Sequence, residues 1–213
     1  SSSTFTAKFL RKVFVESMAS SLINFIYVFL CLSTMVFAHP VLWKGGTDYT
    51  FKLTPSVIDF NAFYTIHRAK AIGFHLTQNE SHESAAYFHY NQRLYRKNKP
   101  NSQQNFYGLV GLGYAQTQLA IHSAFQWDWE TKRYFRMLKV DWFSNHDTMI
   151  ALRIGVAPYI GGFDDINTWL MLEFQPNIND NYKGPLIPVL RLFKQNVLVD
   201  IGFGDSNFIE LMI

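Results

Sequence analysis

The chain has 213 residues, 48% of them apolar and 16% charged, which is enough for one domain of ordinary size with a substantial core. Of its formal charge of +3, +2 belongs to Lys8, Arg11, Lys12 and Glu16, so the rest carries no basic stripe of the kind that binds nucleic acid. The single cysteine, Cys31, rules out a disulfide scaffold or a thiolate metal site over residues 39–213.

Residues 1–38 have the parts of a secretory signal peptide in order. Basic Lys8, Arg11 and Lys12 precede an apolar run over 22–37, and Val36 and Ala38 stand at the −3 and −1 positions of a cleavage site. Met18 is an alternative start. Cleavage after Ala38 would make His39 the first residue of a domain over 39–213. The alternative is an uncleaved anchor helix, because a run of about sixteen to twenty apolar residues borders on bilayer-spanning length.

From His39 onward the recurring pattern is alternation of period two, the strand signal. Strands are expected near 47–54, 57–66, 71–78, 84–96, 106–116, 119–130, 133–143, 148–159, 166–175, 185–193, 197–203 and 206–213. Several could merge across a bulge, so the expected count is eight to twelve. The turn-formers KNKPNSQQ, SNHD, GGFDD, PNINDNYKG and GDS separate them, and the shortest connections imply antiparallel hairpins.

The two faces differ in kind. Over 119–130, Leu119, Ile121, Phe125, Trp127 and Trp129 share a face, and Ala120, His122, Ala124, Gln126, Asp128 and Glu130 take the other. Over 148–159, Ile150, Leu152, Ile154 and Val156 oppose Met149, Ala151, Arg153, Gly155, Ala157 and Tyr159. A soluble barrel would show a wet face rich in Lys, Glu and Thr. Here the second face is a sparse mixture of small residues and isolated charges, which suits the narrow interior of a membrane barrel.

The expected fold is therefore all-β: an antiparallel up-and-down transmembrane β-barrel behind a signal peptide. Its interior charges are expected to be Arg93, Asp128, Lys139, Asp141, Arg153, Glu173, Arg191, Asp200 and Glu210, neutralising one another. Aromatic content of 17%, with Trp127, Trp129, Trp142, Tyr134 and Tyr114 near strand ends, fits interfacial girdles. The compartment implied is the outer membrane of a Gram-negative bacterium, with lipid as partner. A soluble periplasmic barrel binding a small ligand or copper is the alternative.

Beyond these patterns, the stretches HPVLWKGG, NSQQNFYGLVGLGY, DWETKRYF, APYIGGFDDINTWLMLEFQP and PVLRLFKQNVLVDIG span most of 39–203. On them the chain resembles a poorly characterised proteobacterial family of outer-membrane-type proteins whose mature chains open with His-Pro, an aromatic and Gly-Gly. The resemblance implies a signal peptide, a β-barrel and an association with heavy-metal or copper handling. It implies no active site. Such proteins end in Phe, whereas this chain ends FIELMI.

Three constellations could carry chemistry. A terminal amine and imidazole at His39, joined by a further histidine, would form a nitrogen set suited to Cu(II), with His75 and His89 as inward candidates. The plain reading of His39 is a residue that follows a cleavage site. His82 and Ser84, spaced to share a strand face, resemble the His-x-Ser-Asn motif of outer-membrane lipid A deacylases and give an outer-membrane lipid hydrolase as a further alternative, but Ala85 replaces the Asn and a polar loop is the plain reading. The inward charges could line a channel or fill the bore. No phosphate loop or catalytic triad is evident, so the expected protein is non-enzymatic, without a cofactor unless copper binds.

Overall fold

A computed structural model describes residues 40–144, 148–162, 164–176, 185–204 and 207–213. The described residues contain twelve strands. In chain order they are β1 (Thr47–Leu53), β2 (Val57–His67), β3 (Lys70–Asn79), β4 (Ser84–Lys99), β5 (Ser102–Ala115) and β6 (Gln118–Thr131), followed by β7 (Tyr134–Phe143), β8 (Met149–Val156), β9 (Asn167–Phe174), β10 (Leu186–Lys194), β11 (Val197–Gly202) and β12 (Phe208–Met212). None of the expected segments merges with its neighbour.

Each strand pairs antiparallel with the next, and β1 pairs with β12, so the sheet closes into an up-and-down barrel. Closure runs from Leu53↔Ile209 to Thr50↔Met212, and Tyr49 and Ile213 exchange both backbone hydrogen bonds at 2.9 Å. Closure removes the edge strands, which would otherwise leave backbone donors and acceptors unpaired. Two-residue connections at 68–69, 100–101, 116–117, 132–133 and 195–196 hold five of the hairpins in register.

The register puts the large apolar side chains on the outer wall. Phe74, Val110, Leu112, Ile154, Leu170 and Leu186 are each more than half exposed. An apolar belt of this extent far exceeds the few hundred Å² found as the largest patch on a typical soluble monomer. The inner positions hold Ala71, Tyr87, Tyr107, Asn91, Asn105 and Asp200, all almost wholly buried. Every Asp and Glu within a strand falls on this inner parity.

The outward strand positions that carry Lys or Arg are Lys70, Lys97, Lys99, Arg136 and Lys194. All five lie near one end of the barrel, the end where β1 begins and where Arg68, Lys132 and Arg133 occupy the connections. At this same end the leading segment 40–46 folds into the bore. Val41 is 2% exposed and clusters with the inward Ala71, Tyr107, Leu109 and Ala124. Leu42 donates its backbone N–H to Thr65 Oγ1, and Asn91 Nδ2 donates to the Pro40 carbonyl.

Candidate metal centre in the barrel interior

Two polar assemblies fill the bore, and they come from opposite parts of the wall. The first joins β8 to β12. The Arg153 guanidinium meets Glu173, sits 2.6 Å from Asp200 Oδ2 and reaches Glu210 at 3.9 Å. Arg191 holds Asp200 with two parallel bonds of 2.7 Å, from Nε and Nη2. Asp200 is 0% and Glu173 1% exposed, so each charge depends on its partner for the solvation that water would give. Phe208 packs beneath, with Lys52 Nζ 4.6 Å from its ring centre.

The second assembly comes from β2 to β7. His75 on β3, His89 on β4 and His122 on β6 turn inward and come together, one ring nitrogen from each lying within 4.8 Å of the others. Their side chains sit side by side because Asn61↔His75↔Tyr87 and His89↔Gly111↔His122↔Phe143 are adjacent rows of the sheet. Gly111 makes the crossing feasible. A Cβ there would stand 2.3 Å from His89 Cδ2, so the ring occupies the space a side chain would need.

Carboxylates orient two of the rings. His75 Nε2 lies 3.2 Å from Asp59 Oδ1 and His122 Nε2 lies 3.0 Å from Asp141 Oδ1, which Lys139 also approaches at 3.1 Å. A carboxylate can only accept, so each of these Nε2 atoms carries the proton and leaves its Nδ1 with a lone pair. His122 Nδ1 faces His89 Nε2 at 3.2 Å. His75 Nδ1 and His89 Nδ1 are buried with no hydrogen-bond partner, though buried polar groups are ordinarily paired. Phe143 stacks on His122 at 4.1 Å and 4° and fixes that ring.

Most of the expected interior residues lie on the inner face of the barrel. Lys139 pairs with Asp141, while Arg153 and Arg191 share Asp200, with Glu173 and Glu210 beside them. Asp128 accepts from Asn105 at 2.7 Å and Gln126 at 3.5 Å. Arg93 donates instead to the Arg68 carbonyl at the basic end. His75 and His89 meet as candidates do, but the residue that completes their set is His122. His39 lies outside the described residues.

His82 and Ser84 do not form a pair, as the plain reading of a polar loop has it. β4 starts at Ser84, and His82 belongs to the preceding turn with φ of 61°, so the two share no strand face. Ser84 Oγ accepts from Gln78 Nε2 at 3.3 Å on the exposed rim. The turn wins because Asn79 and Glu83 close it with three hydrogen bonds, two of them from backbone N–H groups.

Sequence reasoning missed His122 as the third member of the histidine cluster, and Asp59 as the group that orients His75. Alternation did place His122 on the inner face. What it could not supply was the stagger between strands, which decides that His122 rather than another inward histidine stands beside His89. No protein-family model, curated protein or solved structure matches this chain.

Proposed function

We propose that this chain is a small outer-membrane β-barrel of a Gram-negative bacterium, non-enzymatic, structural rather than an open pore, and serving metal homeostasis. The observation that carries the reading is the segregation of charge. Strand carboxylates are confined to the bore, the middle of the outer wall is apolar, and outward cations are confined to one end. In water such a wall would be a large aggregation surface, whereas in lipid it is the low-energy arrangement.

The closed ladder supports the same reading, because a sheet in lipid must satisfy its backbone internally. The basic end, with Trp129, Tyr134 and Tyr95 nearby, suits the zone of lipid phosphates. Arg136 there lies 5.1 Å from the Trp129 ring centre, a pairing that tolerates a half-wet setting. The packed interior, with Arg153, Asp200 and His89 each 5% exposed or less, favours a filled bore over a channel.

Expression of the full chain in a Gram-negative host tests the reading. The expected result is recovery in the outer-membrane fraction, with unheated protein migrating faster on a gel than boiled protein. Recovery as a periplasmic protein without detergent would reject it.

A further inference from the structure

We propose that His75, His89 and His122 form a binding site for one divalent first-row transition-metal ion of the nickel-to-zinc end of the series, held in the barrel interior by three imidazole nitrogens. This deepens the metal-homeostasis reading and depends on the membrane reading only for its compartment.

Four independent observations converge on the site. The three rings come from three different strands, yet each offers a nitrogen within 4.8 Å of the other two. The 3.2 Å between His122 Nδ1 and His89 Nε2 is close to the roughly 3.3 Å that separates two nitrogens on a tetrahedral ion with bonds of about 2.0–2.1 Å. His75, about nine-tenths buried, presents an unpartnered Nδ1, the nitrogen left over by its Asp59 contact. Asp59 and Asp141 stand behind two of the rings in the carboxylate–histidine arrangement that fixes the ligating tautomer and raises its basicity.

The donor chemistry selects the ion. Three imidazoles with no thiolate and no carboxylate in the inner set suit nickel, copper or zinc, and disfavour magnesium or calcium, which require oxygen. Asp59 supplies negative charge behind His75 without occupying a coordination site, while Lys139 offsets that of Asp141. Gly111 shows that the space is built: its missing Cβ is what lets the His89 ring cross to His122. A merely hydrogen-bonded trio would pair the Nδ1 of His75, and that buried nitrogen remains without a partner.

The test is titration of the full chain, folded in detergent micelles, with Zn²⁺ and Cu²⁺, read by calorimetry and by bound-metal analysis after gel filtration. Co²⁺ serves as a spectroscopic probe of nitrogen ligation. The expected result is one ion per chain, with loss of saturable binding in His75→Gln and His122→Gln and retention in His82→Gln. Asp141→Asn is expected to weaken binding by roughly 10–100-fold while leaving stoichiometry unchanged.

Heat-modifiable mobility of each variant shows that the barrel has formed, so loss of metal is separable from loss of fold, and failure of this site is separable from failure of the membrane reading. A folded wild-type barrel that takes up no stoichiometric ion, or His75→Gln and His122→Gln variants that bind as wild type does, overturns the proposal.

Discussion

The ring of His89 lies across the backbone of Gly111 on the neighbouring strand, in the space where a Cβ would stand 2.3 Å from its Cδ2. A glycine on a strand interior weakens the strand by itself, so its presence marks a close approach that the bore requires.

Gly111→Ala is therefore expected to push His89 away from His122 and to destabilise the barrel by about 1–3 kcal/mol, the usual cost of overpacking. Gly108→Ala is the control. Its Cβ would point outward and meet Leu94 only at 3.4 Å, an ordinary contact. Chemical unfolding of the two variants in micelles should separate them, and equal stability would show that the His89 ring can move at no cost.

Asp200 joins Arg153 to Arg191 in a dry part of the bore. Replacement by Asn would leave two guanidinium groups sharing a neutral partner, and breaking a buried ion pair in this way costs about 3–5 kcal/mol. Denaturant midpoints of wild type and Asp200→Asn check this. A change below about 1 kcal/mol, the level of an exposed pair, would mean that water reaches the network.

The outer wall makes the opposite demand. Ile154 is 57% exposed on β8, one residue beyond Arg153, which is 5% exposed. Ile154→Arg is expected to destabilise the barrel by about 2–4 kcal/mol in a bilayer if it lies near the midplane. The measurement is reversible folding into vesicles, and a neutral effect would place residue 154 in water.

The basic end yields a lipid-dependent prediction. Lys97 and Lys99 project from the β4–β5 hairpin beyond the apolar belt, and each cation near an anionic surface contributes about 1 kcal/mol of attraction. Vesicles containing phosphatidylglycerol should bind the wild type more tightly than pure phosphatidylcholine vesicles do. In the Lys97→Glu, Lys99→Glu double variant that difference should shrink by roughly 10-fold or more, whereas an unchanged difference would assign lipid selectivity elsewhere.

The strands and their faces were legible from Leu119 to Glu130 and from Ile150 to Val156 because period-two alternation is a local property of the chain. Which residues meet across the bore is not local. It follows from the stagger of each hairpin and from closure of β1 on β12, which is why His122 could be placed inward but not beside His89. His82 illustrates the reverse case: a motif legible as letters loses its geometry because hydrogen bonds between Asn79 and Glu83 hold it in a turn. The leading segment escaped notice because Val41 is buried by contacts with three distant strands rather than by any pattern around it.

Trp142 faces outward at 46% exposure on β7, whereas Trp169 on β9 packs inward against the cluster around Phe135 and Met171. Two single-tryptophan forms of the chain, retaining residue 142 or residue 169, can be folded into vesicles of brominated lipid, whose acyl chains quench indole fluorescence on contact. The account predicts strong quenching of the Trp142 form and little of the Trp169 form. Equal quenching of both would contradict the assignment of faces, and quenching of neither would contradict the central claim that the apolar wall meets lipid.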